Sequence, residues 1–381
     1  MVGGEFVIVQ EEVRKLFSGR TLHFYLILTR NCNLKCSFCY QPGLFRSNEK
    51  MSLQVAEDTM NWIFGNFEEQ NVKIMLWGGE PLMNQEVLFW LLDNYPQVRF
   101  TLVTNGFLID EQMRRKLMKY SANLYISLSF ANAEEVYGDK IWDRLKDALY
   151  LVKDLGGDVH FVSKNPDIMY DWFVKLDKEF NIPVIRMSVP RNVDIPDGIL
   201  NRIESEWKRI VDYVFFTGSP RFEFTNFDRG IKSNLMKYLK GELLDDIQPY
   251  YCGCGWMYIS IDINGDLYPC DWMCALKTLK FGNIYSDMDL NSVLEVKEMV
   301  DNKLDLYKSC PVYSFCDIPD VRLCPRAICM AENLEATGQM NLPQPSHCKA
   351  NLLEYRVHKY LCERLIKEGL ECGVSSQFTF C

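Results

Sequence analysis

The chain is expected to adopt an α/β fold, a parallel sheet with helices outside it, and three observations carry that expectation. Apolar, strand-length runs alternate with helical repeats six times between Leu22 and Val189. The first run, Leu22–Leu28, is apolar almost throughout, as a strand buried on both faces of a parallel sheet must be. The second and third runs close on the turn signals Gly78-Gly79-Glu80-Pro81 and Asn105-Gly106. Such a series forms a sheet that is open or closed into a partial barrel.

In chain order, residues 1–20 read as a short strand (Phe6–Val9) and a helical turn. The strand Leu22–Leu28 then runs into the loop Thr29–Pro42. Leu53–Phe67 has helical spacing, with Val55, Met60, Ile63 and Phe67 among its apolar positions. There follow a strand Val72–Trp77, a helix Gln85–Leu92, a strand Arg99–Thr104 and a helix Asp110–Lys119. Next come the strand Leu124–Ser129, the helix Ile141–Asp154, the strand Asp158–Ser163, the helix Tyr170–Phe180 and the strand Pro183–Val189. Residues 196–250 read as helical linking material, broken by Pro196 and Pro220. A cysteine-rich stretch follows at 251–350, with a hairpin turn at Asn264-Gly265. Residues 351–381 form an amphipathic helix and a tail. The domains expected are therefore 1–20, 21–195, 196–250, 251–350 and 351–381.

Composition excludes several functions. A net charge of −9 with no long basic block argues against a nucleic-acid surface. No apolar run approaches the roughly 20 residues that span a bilayer, and the N-terminus lacks the pattern of a signal peptide. Fifteen cysteines then favour metal binding over disulfides and a cytoplasmic protein.

Three of those cysteines, Cys32, Cys36 and Cys39, sit at C-x3-C-x2-C spacing directly after the first strand, with Phe38 and Tyr40 beside the last. Three thiolates on one short loop can hold three corners of an iron–sulfur cube and leave the fourth iron open. A zinc site would want a fourth ligand, and no other Cys or His lies near in sequence except His23 inside the strand. The pattern resembles the radical S-adenosylmethionine (SAM) superfamily. The resemblance implies a six-stranded partial (β/α) barrel over 21–195, with SAM chelated by the open iron and cleaved to a 5′-deoxyadenosyl radical. It also implies that Gly78, Gly79, Glu80 and Pro81 match the family's GGEP motif, which binds the amino group of SAM. Thr104 and Asn105, ending the third strand, and Ser127 and Ser129, ending the fourth, become candidates for the ribose and carboxylate. Phe38 and Tyr40 join them as cofactor-binding candidates.

The second half resembles the SPASM extension of such enzymes, which binds two auxiliary four-iron clusters and so makes three [4Fe–4S] clusters in all. The matching pieces are C-x12-G-x4-C from Cys252 to Cys270 and Phe281-Gly282-Asn283-Ile284. The next piece is stretched to C-x5-C-x7-C-x4-C, from Cys310 to Cys329. By order, the resemblance gives Cys252, Cys270 and Cys329 to one cluster, with Cys254 or Cys274 as a fourth ligand or an open iron. Cys310, Cys316, Cys324 and Cys348 go to the other. Two zinc ribbons are the alternative. Cys362, Cys372 and Cys381 fall outside every motif and read as plain thiols.

Asp271 follows Cys270 directly and is the candidate catalytic base, its alternative role being to hydrogen-bond backbone around the cluster. Three functions compete. The first is modification of a ribosomally made peptide or protein by cross-link, thioether, epimerisation or residue oxidation. The second is oxidation of a small molecule such as an aminocyclitol or sugar, and the third is electron carriage alone. An open-iron loop with GGEP is more than an electron carrier needs, and SPASM relatives act mostly on peptides. No winged-helix leader-binding domain is expected before Thr21. A separate leader-recognition protein or a leader-independent substrate is therefore expected, with a flavodoxin- or ferredoxin-type reductant.

Overall fold

The structure, a computed structural model, describes residues 11–37, 39, 47–131, 140–190, 193–217, 221–224, 229–242, 253–255, 257–301, 316–320, 323–324, 329–340 and 345–369. The strand expected at Phe6–Val9, together with Phe38, Tyr40, Cys252, Cys310, Cys372 and Cys381, lies outside them. The chain packs as two compact units, neither continuous in sequence. The first comprises Met1–Leu128 and Gly253–Asp301, the second Ser129–Cys252 and Asn302–Cys381. Packing thus divides the chain differently from the motif-based boundaries.

In the first unit, β1 (Leu22–Thr29) lies at the centre of the sheet, with β2 (Val72–Gly78) parallel on one side. β3 (Phe100–Thr104) and β4 (Leu124–Ala131, whose residues to Leu128 belong to this unit) continue in parallel. On its other side β1 pairs in parallel with β8 (Tyr258–Ile261). β9 (Asp266–Tyr268) returns antiparallel to β8 through the expected Asn264-Gly265 turn, and β10 (Gly282–Asn283) follows. Gly265 has φ +80°, a conformation that a side chain makes costly. Alternation sets the buried face: Phe24, Leu26 and Leu28 of β1 and Ile74 and Leu76 of β2 are withdrawn from water. Trp62 of α2 (Leu53–Asn66) meets Phe24 edge to face, α3 (Gln85–Asn94) packs beside α2, and α4 (Glu111–Leu117) buries Met113 and Leu117. Ser52 caps α2 by accepting from Val55 N, and Asp110 caps α4 by accepting from Met113 N at 2.8 Å. The short α1 (Glu11–Phe17) sets Phe17 against Phe67.

In the second unit β5 (Asp158–Val162), β6 (Val184–Ser188) and β7 (Arg221–Phe224) are parallel neighbours. Helices α5 (Ile141–Leu155) and α6 (Pro166–Lys178) precede β5 and β6, and Pro166 opens α6 behind its Asn165 cap. α7 (Asp197–Thr217) and α8 (Arg229–Leu239) flank β7; after α10 (Leu290–Asp301) of the first unit come α11 (Met330–Thr337) and α12 (Pro345–Lys367), and α12 packs on α7 and α8. Tyr360 of α12 donates to Asp212 of α7 at 2.9 Å.

The six expected strands are therefore present as β1 to β6, and β10 and β7 are edge strands, so the sheet is not closed into a barrel. Two features differ from expectation. The 196–250 segment is more than helical linker, because Arg221–Phe224 adds β7 beside β6. The hairpin of the cysteine-rich stretch is no separate layer either, because β8 extends the first unit's sheet. Among the described residues no helix is long and apolar enough to cross a membrane.

Candidate functional site

The cysteine loop leaves β1 under tight backbone control. Arg30 N donates to Glu49 O and Met51 N to Leu28 O, each at 2.9 Å, so the returning chain closes one side. The buried Asn84 amide bonds the carbonyls of Leu28 and Met51 at 2.8 and 2.9 Å. On the other side the end of β2 runs alongside, with Gly79 N on Thr29 O at 2.9 Å and Glu80 N on Asn31 O at 2.8 Å. That approach explains both glycines. A Cβ on Gly78, whose φ is +143°, would stand 2.5 Å from Thr29 O, and one on Gly79 would stand 2.3 Å from Asn31 O.

Glu80 is wholly buried beneath this seam. Its carboxylate accepts from Thr104 Oγ1 and Asn105 N at 2.8 Å and from Leu82 N at 3.1 Å. Burial pushes its pKa up to about 7, against the opposing pull of the Asn105, Thr104 and Leu82 hydrogen bonds. Asn105 in turn reaches the loop, its Nδ2 lying 2.8 Å from Asn33 Oδ1 and 3.9 Å from Cys32 Sγ. Leu34 N donates to the same sulfur at 3.4 Å.

Cys32, Cys36 and Cys39 are half-buried, and no disulfide joins any of the eleven described cysteines. Burial first, and for Cys32 the neighbouring Glu80, Cys36 and Cys39 as well, raises the Cys32 and Cys36 thiols to about 11. A positively charged metal centre is what such crowded thiols need in order to ionise. Among the described residues no three ligating side chains stand close enough for a single ion. The donor set and its N–H partners fit an iron–sulfur cluster.

The structure thus joins Cys32, Cys36, Cys39, Gly78, Gly79, Glu80, Pro81, Thr104 and Asn105 into one seam at the carboxyl ends of β1, β2 and β3. Ser127 is half-buried on β4, and Ser129 falls in the second unit. Around the hairpin, Cys270 opens α9 (Asp271–Leu276), where its sulfur accepts from Met273 N at 3.4 Å. Cys254 Sγ lies 4.0 Å from Met273 Sδ. Cys274 is fully buried, and burial, Asp262 and Asp271 hold its thiol well above the usual range. Asp271 is half-exposed in the first turn of α9. In the second unit Cys316, Cys324 and Cys329 are half-buried, as is Cys348 on α12, where Cys362 is fully buried.

Sequence reasoning missed Arg30 and Asp262. Arg30, 7% exposed, donates to Asp262, 1% exposed, and to Glu49 at 2.9 Å. The pair ties the root of the cysteine loop to the tip of β8. A charged residue directly after an apolar strand, and an acid directly before the hairpin turn, were the available signals.

Residues 26–175 match the Radical SAM superfamily and residues 252–319 match SPASM, the iron–sulfur cluster-binding domain. The radical SAM cyclopropyl synthase TigE of Paramaledivibacter caminithermalis is 22% identical over 246 residues, 55% of this chain and 52% of that protein. The chain spans about half, or less, of the length of such curated relatives. Among solved structures, anSMEcpe with bound AdoMet superposes with a TM-score of 0.65 at 18% identity, covering 94% of this chain and 98% of that one. SuiB of Streptococcus suis, bound to its precursor peptide SuiA, gives 0.53 at 16% identity, covering 88% and 78%. These likenesses show the fold, and the matched domains imply [4Fe–4S] clusters and SAM. The chain belongs to the radical SAM superfamily, matched over residues 26–175, and carries an SPASM domain over residues 252–319.

Proposed function

We propose that this chain holds a cluster on Cys32, Cys36 and Cys39, cleaves SAM reductively, and abstracts hydrogen from a ribosomally made peptide or protein. The observation that carries the reading is the seam binding the cysteine loop to Gly79, Glu80 and Asn105 at the strand ends. When bound, the cluster and SAM supply one electron and a 5′-deoxyadenosyl radical that takes a hydrogen atom from substrate.

The chain's residues prepare the place. Cys32, Cys36 and Cys39 stand half-buried on the loop that leaves β1, at the end of the sheet where parallel strands gather their ligands. Gly78 and Gly79 let the end of β2 lie directly against the loop backbone, which sets the cysteine loop beside the strand end proposed to take the amino group of SAM. The Glu80 carboxylate beneath them favours a positive charge there. Asp271, on a half-exposed turn beside Cys270, is assigned to take the substrate proton as the radical is oxidised. Cys252, Cys270 and Cys329, with Cys254 or Cys274 as a fourth ligand or an open iron, and Cys310, Cys316, Cys324 and Cys348 are the donor sets proposed for two auxiliary clusters. An oxidoreductase that modifies peptides suits them. A peptide substrate is supported by the fold neighbours, because anSMEcpe has been solved with AdoMet and Cp18Cys peptide as well as SuiB with SuiA.

Replacing Cys32, Cys36 and Cys39 together by Ala tests the reading. Iron and sulfide should each fall from about twelve to about eight per chain, and reductive formation of 5′-deoxyadenosine should stop. Continued formation would reject the loop assignment. Zinc in place of the remaining iron would reject the auxiliary clusters.

A further inference from the structure

Asn105 stands where the cofactor reading asks for a contact to the ribose or carboxylate of SAM, yet its backbone N–H and its side-chain amide are already committed within the protein. Its backbone N–H donates to Glu80 Oε2 at 2.8 Å, and its Oδ1 accepts from Phe107 N at 3.1 Å. The second bond fixes which way the amide faces, because an amide turned over would set N–H against N–H. Nδ2 must therefore point at the cysteine loop. There it carries two hydrogens and meets two acceptors, Asn33 Oδ1 at 2.8 Å and Cys32 Sγ at 3.9 Å. The residue is braced from behind by Thr104, whose hydroxyl donates to Glu80 at 2.8 Å and accepts from Gly106 N at 3.1 Å.

We propose that Asn105 is a positioning residue for the cluster, its side-chain amide donating to the Cys32 sulfur and to Asn33 so as to hold the loop and raise the cluster's reduction potential. The inference rests on the reading that Cys32 is a cluster ligand. With Leu34 N, the Cys32 sulfur then receives two N–H donors from different parts of the chain, one local and one from the end of β3. Reduction adds negative charge that spreads onto the ligating sulfurs, and N–H groups aimed at a sulfur stabilise that charge. Removing one donor disfavours the reduced state. Placing a carboxylate there disfavours it further.

The experiment uses the full chain, reconstituted anaerobically, with Asn105→Ala and Asn105→Asp beside wild type. Iron and sulfide are counted, and an EPR-monitored redox titration is run without SAM on the signal that the Cys32/Cys36/Cys39 triple-alanine variant lacks. SAM affinity is measured separately. The expected result is a shift to more negative potential, larger for Asp than for Ala. Its ceiling is about tenfold in the reduction equilibrium, which is about 59 mV for one electron. An unchanged potential overturns the inference, whether or not SAM binds more weakly. A wild type that assembles no cluster on the loop overturns the proposed function instead, so the two failures are distinct. Should the variants not load, pulsed EPR of the reduced wild type decides, with asparagine labelled by nitrogen-15 at the side-chain amide only. A coupled amide nitrogen that persists in Asn33→Asp supports the contact, and its absence overturns it.

Discussion

Two carboxylates flank the root of the cysteine loop, one past the end of β2 and one past the end of β8. Glu80 and Asp262 are withdrawn from water to the same extent, at 0% and 1% exposure. Their partners differ in kind. Glu80 is held by three neutral donors, a hydroxyl and two backbone N–H groups. Asp262 is held by the Arg30 guanidinium together with the N–H of Ile263 at 2.8 Å. Neutral dipoles offset only part of the desolvation of a buried charge, whereas a guanidinium in contact offsets much more. Glu80 therefore keeps an unmet demand for positive charge at the seam where SAM is proposed to bind, and Asp262 serves as a fixed tie between β1 and β8. Equal burial produces a responsive group in one place and an inert strut in the other.

Breaking the strut gives the largest expected effect. Asp262→Ala leaves Arg30 with only the exposed carboxylate of Glu49, and removing the buried partner of a buried pair costs about 3–5 kcal/mol. Urea denaturation should show that loss, and the apolar double variant Arg30→Met/Asp262→Leu should recover most of it. A loss under about 1 kcal/mol would show that the pair behaves as a solvated one.

Glu80 should reveal itself through pH. Its folded pKa of about 7 lies above the ordinary 4.5, so the folded state favours the protonated form. The stability this contributes is complete below pH 4.5 and is lost as pH rises through about 7, a decline of about 3 kcal/mol. Glu80→Gln stays neutral, and its stability measured from pH 4.5 to 8 should lack that decline. Parallel curves for the two proteins would place the charge of Glu80 in a better-compensated setting.

The smallest effect tests the seam without touching charge. Gly79→Ala forces a methyl to 2.3 Å from the Asn31 carbonyl oxygen and should cost about 1–3 kcal/mol, with impaired cluster loading. Gly198→Ala, in the first turn of α7 with open space around it, should be neutral or gain up to about 1 kcal/mol. Equal melting temperatures for the two variants would remove the steric account of the seam.

Much of this is legible in the sequence, because the signals are local. The apolar run of β1, the C-x3-C-x2-C loop and Gly78–Pro81 each declare themselves within a few residues, and the strand-then-helix rhythm places them at strand ends. β7 was missed because Arg221–Phe224 is four residues long, follows Pro220, and is a strand only by pairing with β6. The Arg30–Asp262 tie was missed because its halves stand 232 residues apart. Reading Asn105 as a ligand candidate used its place at the end of β3. Its commitments to Glu80, Phe107 and Asn33 depend on how three strand ends meet, which no spacing encodes.

The parallel pairing of β1 with β8 has a consequence for how this protein is made. The Tyr25 carbonyl accepts a hydrogen bond from Ser260, 235 residues further along the chain. With synthesis at about 5–20 residues per second, that flank of β1 stays uncovered for roughly 12 to 47 s after it leaves the ribosome. An apolar strand with a bare edge is a template for pairing with other chains, and contacts this distant in sequence form slowly. Release of the chain before Tyr258 would thus leave Cys32, Cys36, Cys39 and Gly78–Pro81 intact in sequence, on a nascent protein whose central strand is still an edge.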